Sequence, residues 1–131
     1  MRMFITVALI VAALAPARAD DKPQPLTDRP VPIVKLTSTE GWRLSAVAGM
    51  DVEGETLVLV IEGDVINAGD RERPSPAIRL ALSDKEGREL YHWTVQADQD
   101  RVRPGDWSPY RARLESPPRD AYSVEIRTVD R

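Results

Sequence analysis

The placement of proline constrains this chain more than any other feature. Almost every proline lies between short aliphatic or aromatic runs, and almost none lies inside one. Proline removes a backbone donor and clashes within a helix interior, so segments punctuated this often cannot be long helices. Inside the runs, apolar residues recur at every second position. Ile78, Leu80 and Leu82 alternate with Arg79 and Ala81, and Val124 and Ile126 alternate with Glu125 and Arg127. This period turns one face of a strand toward a core and the other toward water, the pattern of a two-layer antiparallel sheet.

Seven such segments stand between turn signals: Ile33 to Leu36, Trp42 to Met50, Thr56 to Asn67, Ala77 to Ser83, Arg88 to Val95, Ser108 to Leu114 and Tyr122 to Thr128. Asp84-Lys85-Glu86-Gly87 suits a type I turn followed by a left-handed glycine, so Ala77 to Val95 is expected to be a hairpin. Arg103-Pro104-Gly105-Asp106 predicts a second turn, and Pro117-Pro118 ends the strand before the last. The expectation is one all-β domain over residues 33–131, an immunoglobulin- or fibronectin-like antiparallel sandwich of about seven strands.

The chain begins with Arg2, an apolar run from Phe4 to Ala15, and Ala17-Arg18-Ala19 in a small-x-small pattern. That combination predicts a secretory signal peptide over residues 1–19, cleaved after Ala19. The apolar run falls short of the roughly 20 residues a membrane span requires. Cleavage would remove two of 18 basic residues and no acid, leaving 16 against 21 and a charge of −5. An acidic chain without a basic cluster is a poor binder of nucleic acid or anionic lipid. With no cysteine there is no disulfide, thiolate metal site or lipidated anchor. The expected location is the periplasm or the outside of a bacterial cell, with no integral membrane segment after cleavage. Residues 20–32 carry four prolines and few large apolar groups, which predicts a flexible linker.

Ile61 to Asn67, Pro76 to Asp84, Gly87 with Leu90, Pro104-Gly105, Tyr110 and Pro117-Pro118 follow an ordered spacing across Trp42 to Arg127. In this respect the chain resembles a bacterial family of uncharacterised domains that usually carry a zinc-ribbon, then a transmembrane helix, then a β-sandwich beyond the membrane. The resemblance implies a sandwich outside the cytoplasm and brings no catalytic residue with it. Two departures accompany it. The absence of cysteine rules out a zinc-ribbon, and the expected signal peptide takes the place of the transmembrane helix. Tyr110 also stands where the family more often has Phe.

Candidate chemistry is sparse. Glu62 and Asp64 flank Gly63 on the outer face of the Thr56 to Asn67 strand, about 7 Å apart, close enough for acid–base work or a hard metal. No histidine or further acid in the neighbouring sequence completes a constellation, so two solvated carboxylates are expected. Val58 and Val60 share that outer face and fit it badly, unless a bulge or the N-terminal segment covers them. His92 is the single histidine, without a nucleophile elbow, and with Met50 it supplies too few soft ligands for copper or zinc. Asp98-Gln99-Asp100 lacks the glycine and late glutamate of a calcium loop. Catalytic residues, cofactors and metals are therefore expected to be none.

Aromatic residues offer the other route to function. Tyr110, Trp93 and Tyr122 alternate with polar neighbours and are expected in the core, whereas Trp107, beside a Pro-Gly turn, is expected at the surface. The charged, proline-containing run from Asp70 to Pro76 places Arg71 and Arg73 in a loop at one end of the sandwich. Arg71, Arg73 and Trp107 are the expected contacts of a non-catalytic module that binds another envelope protein through loops or an edge strand. The alternative is a glycan or small-ligand module using exposed aromatics.

Overall fold

The computed structural model describes residues 29–130, and those residues form an all-β sandwich. The expected signal peptide and residues 20–28 of the expected linker lie outside the described residues. The strands are β1 (Ile33–Thr37), β2 (Trp42–Leu44), β3 (Val47–Glu53), β4 (Thr56–Asn67), β5 (Arg73–Pro74), β6 (Ala77–Ser83), β7 (Glu89–Gln96), β8 (Arg101–Val102), β9 (Trp107–Glu115) and β10 (Ser123–Val129). Among the described residues no helix is long and apolar enough to cross a membrane.

One sheet has the order β1-β10-β6-β7. In the other, β4 is central, with β9 on one side and β2 followed by β3 on the other. All pairs are antiparallel except β1 with β10, which run parallel from Ile33↔Ser123 to Thr37↔Arg127. The β6–β7 hairpin sets Leu80 opposite Trp93 and Leu82 opposite Tyr91, and a register shift after Leu82 brings Ser83 opposite Glu89. At the tips, Gly87 and Gly105 take the positive φ that the two turns demand.

Alternation builds the core directly. Leu57, Leu59, Ile61 and Val65 of β4 face Ile78, Leu80 and Leu82 of β6 and Val124 and Ile126 of β10 in one buried cluster. Each fully buried aliphatic side chain contributes roughly 1.5–3 kcal/mol, so this interlayer contact dominates the fold. Tyr110 joins it as expected, and Trp93 packs against it while staying partly exposed. Tyr122 does not: its backbone already bonds the Ser83 carbonyl and the Ile33 N–H, but it stands just before β10 at the open end of the sandwich, beside the Asp84 turn, and is 43% exposed.

The end of the expected linker is docked. Arg29 donates from its guanidinium to the carbonyls of Pro117 and Pro118 at 3.0 and 2.6 Å, and Pro32 is buried.

Candidate binding site

Gly63 explains the middle of the long strand. β2 and β3 lie along one edge of β4 in a single register, interrupted at Ser45 and Ala46. There the Ser45 carbonyl turns inward over Gly63, into the space that a Cβ would occupy. The Tyr110 hydroxyl, on the β9 residue opposite Gly63, donates to that carbonyl at 2.7 Å. Ser45 replaces the lost ladder bond with its side chain, its Oγ accepting from the Asp64 N–H at 3.0 Å. Burial, and secondarily the Asp64 carboxylate, push the Tyr110 hydroxyl up to about 12, so it remains a donor at ordinary pH. Three strands are thereby tied together beneath the Glu62 and Asp64 pair.

The pair itself lies on the outer face of its sheet. Glu62 is exposed and meets Arg111 of β9, Oε2 to Nε 3.3 Å, while Asp64 is half-buried. Farther along, Arg113 of β9 reaches across β4 to Glu53 of β3 at 2.6 Å, beside Val58 and Val60. Both valines are buried despite facing outward. His92 is exposed on the edge strand of the other sheet, 3.9 Å from Glu89. Among the described residues no group of three or more metal-binding side chains is assembled.

The end of the sandwich beyond Asn67 is organised differently. Asn67 is completely buried, although it is polar. Its amide donates to the carbonyls of Arg71 and Val102 at 2.9 and 2.8 Å, and its Oδ1 accepts from the Gly69 N–H. Its backbone bonds the Asp106 carbonyl and the Gly105 N–H. Two further buried polar residues complete the frame: Ser75 Oγ donates to the Gln99 carbonyl at 2.5 Å, and Ser108 Oγ accepts from the Gln99 N–H at 2.7 Å. Buried polar groups persist when fully bonded, and here the bonds fix three loops at once.

On this frame an open cleft of about 390 Å³ forms over Val102, with Trp107 on its wall. Trp107 is 61% exposed, as its turn context predicts. Glu72 accepts from Arg101 Nε at 2.8 Å and lies 3.9 Å from Arg103 Nε. The two other arginines expected as contacts sit elsewhere. Arg71 is exposed on the loop that Asn67 clamps, and Arg73 stacks its guanidinium on the buried Trp42 ring, 4.6 Å from the centroid. Arg101, Arg103, Glu72 and Asn67 were not singled out from sequence. The one local signal is Asn67-Ala68-Gly69, an asparagine positioned to accept from the N–H two residues on.

Comparison with protein-family models, with curated proteins and with solved structures finds no match to this chain.

Proposed function

We propose that the chain is an exported, non-catalytic interaction module that receives an extended segment of another envelope protein along the free edge of β7. The observation that carries this reading is the composition of that edge. β7 is eight residues long and ends its sheet. From Leu90 to Gln96 it contains no proline, glycine, lysine, arginine or acid. Natural sheets blunt exposed edges with such residues, because an unpaired row of N–H and C=O groups is a template for another strand. Leu90 and Tyr91 are both exposed, and Tyr91 contacts Trp93 with ring centroids 5.6 Å apart. An added strand would gain main-chain bonds from the edge and side-chain packing from these rings.

Export rests on the pattern of residues 1–19, and the envelope setting is also what the resemblance to zinc-ribbon-linked sandwich domains implies. A non-catalytic role is supported by the separation of the candidate groups: Glu62 and Asp64 belong to one sheet and His92 to the edge of the other.

The test is affinity purification of the tagged protein after crosslinking in cells, beside the double variant His92→Lys/Thr94→Lys. One dominant partner with the parent protein, reduced at least about tenfold in the variant, is expected. Equal recovery from both proteins would remove the edge, and no partner above background would remove the interaction reading altogether.

A further inference from the structure

The cleft at the Asn67 end rests on a fully bonded polar frame rather than on loose loop packing. Three buried polar residues, Asn67, Ser75 and Ser108, hold every loop that lines it. What they hold outward is a mostly exposed indole and a set of planar polar side chains: Glu72, Gln99, Arg101, Arg103 and Asp106. Leaving most of a tryptophan in water forgoes burial that the fold could otherwise use. Fixing loops before a ligand arrives reduces the ordering cost of binding.

These groups match the two chemistries of a sugar ring. A pyranose presents a face of C–H groups, slightly positive, to which the negative face of an indole is complementary. Its rim presents adjacent hydroxyls, each both donor and acceptor, which carboxylate, guanidinium and amide side chains can engage in pairs. The Gln99 side chain makes no hydrogen bond among the described residues, and Arg103 stands 3.9 Å from Glu72, so donors and acceptors are available. Two arginines against two acids leave the lining without net charge. The cleft is open, so a chain of sugars can run through it.

We propose that this cleft binds an uncharged pyranose oligosaccharide, with Trp107 stacked on one ring and Arg101, Arg103, Glu72, Gln99 and Asp106 engaging its hydroxyls. The site uses residues other than the β7 edge, so it stands or falls independently of the protein partner.

The experiment is titration of the purified protein with chitotetraose, cellotetraose and maltotetraose, followed by tryptophan fluorescence and calorimetry, with tetragalacturonate as a charged control. At least one neutral tetraose is expected to bind saturably, with a dissociation constant between about 10 µM and 1 mM. Trp107→Ala should weaken it at least about tenfold, and Arg103→Ala less, with the thermal midpoint of both variants unchanged. Trp107→Phe should retain part of the affinity. Absence of binding to all three neutral probes, binding confined to tetragalacturonate, or binding that Trp107→Ala leaves intact would overturn the proposal.

Discussion

The two sheets of this sandwich are secured in different ways. In the sheet built on β4, the central strand is bonded on both sides and crossed on both faces. Tyr110 reaches Ser45 beneath Gly63, and the Arg113–Glu53 and Arg111–Glu62 ion pairs run over the outside. Its β9 edge alternates Pro109, Arg111, Arg113 and Glu115, and the N–H of Asp98 already occupies the Pro109 carbonyl. In the sheet that ends in β7, the last strand is held by its ladder to β6, by the Arg79–Glu89 pair at 3.1 Å and by the turn at Asp84. From Leu90 to Gln96 its outer edge carries none of the deterrents of β9. The first sheet is fastened and its β9 edge is closed to further strands, whereas the second is left open along β7.

The sharpest way to break that contrast is at Gly63. Any side chain there displaces the Ser45 carbonyl, so Gly63→Ala should destabilise the protein by about 3 kcal/mol or more in urea unfolding. A near-neutral result would mean that the strands are not tied at this point. Tyr110→Phe keeps the ring and removes the donor, leaving a buried carbonyl short of a partner at a cost of about 1–2 kcal/mol.

The other sheet should respond to acid through its hairpin turn. The Asp84 carboxyl is held below the usual carboxylate value chiefly by the Arg88 backbone N–H, with the Arg88 side chain adding to it. A depressed carboxylate stabilises fully above its unfolded value of about 3.9 and loses that contribution as pH falls through the lower folded value. Asp84→Asn should therefore lower the thermal midpoint at pH 7, and the gap from the parent should narrow below about pH 4. A gap that stayed constant with pH would show that the charge is not what holds the turn.

At the small end, Arg113→Ala removes a partly exposed ion pair and should cost about 0.5 kcal/mol. The β7 substitutions His92→Lys and Thr94→Lys lie on a wet edge and should change stability by no more than about 0.5 kcal/mol. If they unfolded the protein, β7 would be a structural strand rather than a free edge.

Much of this architecture is legible in the sequence, because a strand with one wet face writes its period into the chain. Thr56–Asn67 and Ala77–Ser83 have the bounds that alternation and turn residues imply, and the inward set of β4 is the one that alternation assigns. What alternation cannot carry is contact between distant segments. Val58 and Val60 lie on the outward face of β4 and are buried all the same, which the period of that strand alone does not foretell. β5 and β8 are two residues each, too short to have a period, and exist because the Asn67 frame brings their loops together. The parallel pairing of β1 follows from where the chain enters the fold, which no local pattern records. Trp107 was legible as an exposed residue from its turn, but its cleft partners come from loops some 30 residues apart in sequence and leave no shared motif.

On the proposed reading β7, and not β9, accepts a partner strand. A photo-crosslinking amino acid placed at Thr94, and in a separate strain at Arg113, tests it directly in living cells. A discrete higher-mass adduct is expected from position 94 and little or none from position 113. Adducts of equal yield from both positions, or an adduct from position 113 alone, would contradict it.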